Sequence, residues 1–427
     1  MKGNPRRSVK LGDLFTIKHG YAFKGEHFGT EGSHIVLTPG NFFDEGGFKK
    51  KGDKEKWYSG KIPEDYILFR GDLLVAMTEQ AEGLLGSSAI VPEGGRYLHN
   101  QRLGLIQNFN DVDKRFLYYL FNSQTVRQQI RASCSGVKVR HTSPSRIYDV
   151  KVAIPPLPTQ RKIAAILSAY DDLIENNLQR IKILEKMAQN LYREWFVKLR
   201  FPGHQHARFV DSPLGRIPEG WEVVALEDVC SRITDGSHHS PKSVEFGYPM
   251  ASVKDMHDWG INIDTCRKIS EDDFQNLVRN DCKMLKDDVL IAKDGSYLKH
   301  CFVVEKDLDV ALLSSIAMLR PNKRINPHVL AMILREPDMK IRMTGFVSGA
   351  ALPRIILQAF RQFQIILPHI ALQERWAASA EPMIQLCWRL LNANANLRCT
   401  RNLMLPMLIS GEVDVSELDI TVSEEAA

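Results

Sequence analysis

The chain has 427 residues, 44% of them hydrophobic and 25% charged, with a formal net charge of +5. At roughly 150 residues per domain this is ordinary globular composition for two or three domains, each able to bury a core of its own. It argues against a membrane protein, because no apolar run approaches the roughly 20 residues of a spanning helix.

The first residues, MKGNPRRSVKLGDLF, are basic but lack the apolar core of a signal peptide, so a cytosolic protein without membrane association is expected. Seven cysteines lie at 134, 230, 266, 282, 301, 387 and 399, and no two have C-x-x-C spacing. An odd, scattered set reads as reduced structural thiols, with neither a disulfide framework nor a zinc site.

Residues 8–158 alternate short β-like runs, such as SHIVLT and YILFRGDLLVAM, with Gly- and Asp-rich breaks and a helical stretch, DKRFLYYLFNSQTVRQQIR. From Thr159, a plausible N-cap, apolar residues step by three or four: Ile163, Leu167, Tyr170, Ile174, Leu178, Ile181, Leu184, Ala188, Leu191 and Trp195. No Pro or Gly interrupts 159–200, which predicts a helix of about 60 Å at about 1.5 Å per residue. Asn176 and Asn177 break the stripe, where a polar residue can fix helix register. Residues 201–220, rich in Pro, Gly and His, read as a linker. Residues 221–370 repeat the first texture, with DDVLIAK and CFVVEK as strands and NPHVLAMILREPDMKIRM as a helix. A second stripe over 371–410 runs through Leu372, Trp376, Ala380, Ile384, Cys387, Leu391, Asn394, Leu397, Arg401 and Leu405, with a kink or late start expected at Pro382. The tail after Gly411 holds six acids and no base.

The halves are copies. SGVKVRHTSPSRIYDVKVAIPPLPTQRKIAAIL answers SGAALPRIILQAFRQFQIILPHIALQERWAASA, with Gly136 and Gly349, Pro155 and Pro368, and Gln160 and Gln373 each 213 positions apart. That period is too long for a solenoid and means a duplicated domain. The resulting division is 1–158 and 221–370 as two similar domains, 159–200 and 371–410 as long helices, 201–220 as linker and 411–427 as tail. The expected fold is mixed α/β of the α+β type, with mostly antiparallel sheets and two long antiparallel helices forming a coiled-coil-like spacer. Such helices cannot stand alone with one apolar stripe in water, and globular helices average only about 11–12 residues.

No GxxxxGK[ST] loop, strand-linked GxGxxG, G-x-S-x-G or H-E-x-x-H motif is present. NDCK at 280–283, with Asp272 and Asp273 upstream, faintly resembles a nuclease metal site, and His238–His239 a metal pair; neither has the converging ligands such a site needs. A duplicated protein without a catalytic constellation reads as a binder, and a mildly basic body suits a polyanion.

At this point the residues resemble a family. IPPLPTQRKIAAILSAYDDLIENNLQRIKILEKMAQNLYREWFVKLRFPG is similar to the central conserved region of the specificity subunit of type I restriction-modification systems. SPLGRIPEGWEVVALEDV resembles the opening of that family's second target recognition domain, and ITDGSHHSPKSVEFGYPMASVKDM its early motif. GDLLVAM and DDVLIAKDGS resemble its glycine-aspartate strand, and LRCTRNLMLPMLISGEVDV its C-terminal conserved region. The likeness spans essentially the whole chain; the second copy departs where Ala371 replaces the counterpart of Pro158 and Pro382 intrudes.

The resemblance implies a non-catalytic, cytoplasmic, prokaryotic DNA-binding subunit whose two domains each read half of a bipartite asymmetric site in double-stranded DNA. The helices would set the spacer and dock two methyltransferase subunits, with motor-nuclease subunits joining for restriction. S-adenosylmethionine, ATP and Mg would belong to those partners, and this chain would hold no cofactor or metal. An antiparallel helix pairing would relate the copies by an approximate two-fold axis, as the duplex requires, least regular around Pro382. The competing readings are a protein-only coiled-coil scaffold, and a nuclease or methyltransferase in its own right.

Base readout calls for Arg or Lys on guanine and Asn or Gln on adenine, and phosphate contacts for Lys, Arg and Ser. In the first domain the DNA-binding candidates are Lys18, Tyr21, Asn100, Gln101, Arg102, Lys138, Arg140 and His141. In the second they are Ser237, His238, His239, Lys242, Lys293, Ser296, Lys299 and Arg354. Each has a plainer alternative, a solvated cation or, for Asn100–Gln101, a turn cap. The lysines at 49–51, 54 and 56 read as a solvated loop or nonspecific phosphate contact. Ile163, Leu167, Tyr170, Ile174, Ile181, Leu184, Leu191, Trp195, Trp376, Ile384, Leu391 and Leu397 are the expected helix–helix and partner interface.

Overall fold

The computed structural model describes residues 6–79, 82–136, 139–295, 298–349 and 353–421. Lys138 and Ser296 lie outside them. The chain divides into two units, residues 1–176 with 393–427, and residues 177–392. Both mix helices with mostly antiparallel sheet.

The main sheet of the first unit orders its strands Thr16–His19, Leu103–Gln107, Leu73–Ala76 and Ser88–Ile90, all antiparallel. Leu73–Ala76 is apolar and buried at every position, so both faces are covered. Leu73 and Val75 enter a core with Phe116, Leu117 and Leu120 of the helix Lys114–Asn122. Leu74 and Ala76 point the other way, among Ile35, Tyr97 and Leu103. The second unit repeats the scheme with Cys230–Asp235, Ile316–Pro321, Val289–Ala292 and Cys301–Val303. There Val289 and Ile291 face the core of the helix Pro327–Arg335, and Leu290 and Ala292 the opposite one. Each fully buried leucine or isoleucine contributes on the order of 2 kcal/mol.

The repeated polar residues have repeated duties. Asp72 accepts the Phe69 N–H at 2.8 Å and Asp288 the Leu285 N–H at 2.8 Å, closing the turn into the central strand of each unit. Asp288, fully buried, also receives Arg320 through two bonds of 2.8 and 2.9 Å. Gln160 accepts the Asp113 N–H at 3.0 Å and donates to the Pro155 carbonyl at 2.9 Å. Gln373 does the same with Asn326 at 2.9 Å and Pro368 at 2.7 Å. Gly136 and Gly349 share a left-handed φ of 94° and 91°, a conformation that costs a side chain; a Cβ on Gly136 would lie 2.0 Å from the Val139 carbonyl oxygen.

The long helices are Leu157–Tyr192 and Ile370–Ser410. The first starts two residues before Thr159, which lies inside it, and Pro158 is accommodated in the first turn, where its missing N–H is no loss. It ends before Arg200: a π-turn over Arg193–Val197 follows, and Leu199 turns left-handed at φ 59°. The second helix runs unbroken through Pro382 and Pro406, without the late start expected. Trp376, Ala380 and Ile384 on either side of Pro382 are buried, and that packing holds the turn despite the lost hydrogen bond.

Within the first unit the helices run antiparallel. Asp171 pairs with Arg401, and Asn394 donates to the Ile174 carbonyl at 3.3 Å. Ile163 and Leu167 pack with Leu408 and Ile409, and the Tyr170 hydroxyl meets the Met404 sulfur at 3.4 Å. Within the second unit the order is again antiparallel: Cys387 lies at the Ile181 carbonyl, 3.8 Å, and the Tyr192 and Trp376 rings are 5.9 Å apart. Ile181, Ile384 and Trp376 are buried there, with Leu184, Leu191, Trp195 and Leu391 partly so; Leu397, in the first unit, is half-buried. The buried polar residue of the seam is Asn394 and not the exposed Asn176.

Residues 201–220 carry more than a linker: Phe209–Ser212 and Gly215–Pro218 form an antiparallel hairpin. Five cysteines are buried, and burial pushes the Cys230 and Cys301 thiols up to about 12. Among the described residues no helix is long and apolar enough to cross a membrane.

Candidate nucleic-acid interface

One margin of each main sheet, across the ends of three neighbouring strands, is built by the same four backbone hydrogen bonds. In the first unit the Tyr21 N–H donates to the His99 carbonyl at 2.9 Å and the Gln101 N–H to Tyr21 at 3.0 Å. Met77 then donates to Arg102 at 3.0 Å and Thr142 to Met77 at 2.9 Å. In the second unit Ser237 donates to Leu312 at 2.8 Å and Ser314 to Ser237 at 3.0 Å. Lys293 donates to Ser315 at 2.9 Å and Ile355 to Lys293 at 3.1 Å. A glycine starts each ladder because the chains approach closely: a Cβ on Gly20 would lie 2.1 Å from the Asn100 oxygen, and one on Gly236 would lie 2.3 Å from Leu312 backbone atoms.

This ladder brings the first-unit candidates together. Lys18 and Tyr21, the turn Asn100–Arg102 and the strand Arg140–His141 come from three distant segments and line one edge. Lys18 donates to the Asp65 carbonyl at 2.6 Å and lies 4.9 Å from the centroid of the Tyr66 ring, which packs on Tyr21 at 5.3 Å. Gln101 and Arg102 are exposed. Asn100 is buried and accepts the Arg102 N–H at 3.0 Å, so it shapes the turn that presents them. Arg140 is less free than the sequence suggests: it lies 3.5 Å from Glu79, a buried carboxylate that also accepts the Leu85 N–H at 2.8 Å. His141 Nδ1 lies 3.2 Å from the Thr78 hydroxyl.

In the second unit the candidates divide. Lys293 is buried, and its ammonium is held by Asp235 at 2.7 Å, which removes it from the surface. Ser237 is buried too; its hydroxyl accepts the His239 N–H at 3.1 Å and donates to the His239 carbonyl at 2.8 Å, forming the turn under the two histidines. His238 is exposed with one ring nitrogen 3.2 Å from Asp235, while His239, Lys242 and Lys299 are exposed. Arg354 is exposed and lies 3.9 Å from Asp294. It pairs across Asp294 as His141 pairs across Thr78, so His141, not Arg140, is its positional counterpart.

Sequence reasoning missed Glu79, Asp235 and Tyr66, which hold these side chains in place. Glu79 acts on Arg140, Tyr66 on Lys18 and Asp235 on Lys293 across long sequence gaps that no local pattern marks; only the contact of Asp235 with His238 is local. Among the described residues no group of three or more His, Cys, Asp or Glu converges as a metal site would. Asp281 pairs with Arg232 at 2.6 Å, and Asp273 bonds the Ser270 cap at 2.7 Å.

His99 lies beneath the first edge, fully buried, with Nε2 at 2.9 Å from the Leu103 carbonyl. Burial pushes its imidazole down to about 4, so it is neutral when folded. Below pH 6.5 the unfolded chain takes up a proton that the folded chain refuses, so stability falls as pH drops through that window. Between pH 7.5 and pH 5 the loss expected from His99 is about 2 kcal/mol. Urea unfolding at both pH values, wild type against His99→Gln, isolates it; an equal pH dependence in the two proteins would refute the assignment.

A family model described as type I restriction modification DNA specificity domain matches residues 6–186 and 218–395, one match per copy. The chain is 26% identical over 316 residues to the type I restriction enzyme MjaIX specificity subunit of Methanocaldococcus jannaschii, covering 72% of this chain and 71% of that one. It is 23% identical over 389 residues to the EcoBI specificity subunit of Escherichia coli, covering 88% and 78%. The crystal structure of a type I restriction-modification S subunit from M. genitalium shares the fold, with a TM-score of 0.58 at 15% identity and coverage of 96% and 97%.

Proposed function

This chain belongs to the type I restriction-modification DNA specificity family, and on that premise we propose that each sheet margin described above reads one half of a split, asymmetric DNA site. It is a DNA sequence-specificity subunit. The observation that carries the two-reader mechanism is the paired ladder: the same four backbone bonds recur in both units while the side chains they present differ. Gln101 and Arg102 stand in the first unit where Ser314 and Ser315 stand in the second, and His141 where Arg354 stands. A shared scaffold with diverged readers suits two different half-sites.

The rest of the proposal concerns partners. The long helices, 36 and 41 residues, each begin in one unit and end in the other, which supports a role in setting the unread spacer. Their exposed apolar residues, Leu173, Ile183, Met187 and Leu403, favour docking of methyltransferase subunits, two in number by the duplication of the chain. Adenine methylation with S-adenosylmethionine, and ATP- and Mg-dependent cleavage, would then belong to partner methyltransferase and motor-nuclease subunits. Methylome sequencing of cells expressing this chain with its methyltransferase partner tests the reading. The expected motif is bipartite, with two unlike half-sites and a fixed gap; a contiguous or palindromic motif would refute it.

A further inference from the structure

The most exposed large apolar side chain among the described residues is Phe246, at 79%. It belongs to the loop 236–247, which leaves the recognition edge of the second unit at Ser237. The loop is held from below. Arg267 donates to the Pro241 carbonyl at 2.5 Å and to the Ser240 hydroxyl at 2.9 Å, and the Val244 N–H donates to the Lys268 carbonyl at 3.0 Å. Gly247 backs directly onto the strand Arg267–Ile269, where a Cβ would lie 2.1 Å from the Ile269 carbonyl oxygen. Phe246 therefore projects from an anchored backbone.

The surroundings are those of a nucleic-acid surface. The Lys268 ammonium lies 5.9 Å from the Phe246 ring centroid. His238, His239 and Lys242 are exposed on the same loop, whose one acid is Glu245. An aromatic ring with a cation at its side matches a base stack flanked by phosphate. The matching loop of the first unit has no ring at this place: by strand register Gly32 stands where Phe246 stands, and the loop aromatics Tyr21, Phe23 and Phe28 pack on Tyr58 and Tyr66, while the exposed Phe43, with Lys49 5.7 Å from its ring, lies on another segment.

We propose that Phe246 is a wedge that enters the base stack of the DNA half-site read by the second unit, with Lys268 on the adjoining phosphate. This rests on the two-reader function above and adds an asymmetry to it: the second unit inserts a ring into its half-site and the first does not.

The experiment uses the assembled specificity–methyltransferase complex on a duplex carrying its methylated motif, probed with permanganate for unstacked thymines and diethyl pyrocarbonate for unstacked purines. Beyond the adenines that the methyltransferase subunits extrude in each half-site, wild type is expected to give further hyperreactive bases in the second unit's half-site alone. Phe246→Ala should abolish them and weaken cognate binding about tenfold, whereas Phe246→Trp should retain both. Unchanged reactivity and affinity in Phe246→Ala would overturn the wedge. So would loss of methyltransferase association with the DNA pattern intact, which would make Phe246 a protein contact. Absence of cognate binding by wild type would instead overturn the DNA reading on which the wedge depends. The ring is exposed, so the variants are expected to fold, and equal thermal melting of the three proteins checks this.

Discussion

Replacing Asp171 with Ala is expected to cost about 3–4 kcal/mol of folding stability, the largest single loss predicted for the helix seam. Asp171 pairs with Arg401 across the two long helices and accepts the Tyr119 hydroxyl at 2.6 Å. Arg401 has a side-chain exposure of only 16%. Burial and the neighbouring carboxylate push the Tyr119 phenol well above its ordinary value, so it remains a donor throughout the physiological range. Removing the carboxylate strands a cation and a hydroxyl together, and the desolvation cost of both is then uncompensated. Replacing both charges, Asp171→Leu with Arg401→Met, should recover most of the loss, because no buried charge is left unpaired. Denaturant unfolding of the single and double variants decides it. A double variant as unstable as the single one would show that the pair is not the source.

The second large effect is on DNA. Arg354→Ala is expected to weaken cognate binding about 10- to 100-fold, the range for loss of one bidentate base contact, and to relax one position of the second half-site only. Arg354 is an exposed cation of its edge, and its ion pair with Asp294 is long, at 3.9 Å. Arg140→Ala should cost less in binding and more in stability, because Arg140 is the counter-charge of the buried Glu79. Binding measured across a salt series separates the two kinds of contact: a phosphate contact lowers the salt slope by about one, and a base contact leaves it. Unchanged affinity and an unchanged slope for Arg354→Ala would remove it from the interface.

Much of the fold is legible because some of its rules are local. The apolar stripe from Ile163 to Trp195 follows from helical geometry, and the pairs Gly136/Gly349 and Gln160/Gln373 keep their residue types because each copy needs the same left-handed turn and the same two backbone partners. The edge residues were legible only as a set. Lys293 and Lys299 look alike in sequence, yet one is held by Asp235, 58 positions away, and the other is exposed. Nothing near Lys293 announces that partner, since strand pairing creates it. Asn176 and Asn394 differ in a way the stripes already mark: Asn394 falls on its stripe and is buried, whereas Asn176 lies between Ile174 and Leu178 and is exposed. The hairpin over 209–218 hid behind its turn residues, since Pro, Gly and His report a chain reversal without reporting what the reversal joins.

The first unit is assembled from two separate stretches, 1–176 and 393–427, whereas the second is one uninterrupted stretch, 177–392. Translation runs in one direction, so the half that is begun first is finished last. Until Leu408, Ile409 and Val415 emerge, the core around Phe116, Ile163 and Leu167 lacks a wall, while the second unit already has every residue it needs. A nascent chain is therefore expected to hold a completed second unit while its first unit is still open, until residues 393–415 emerge.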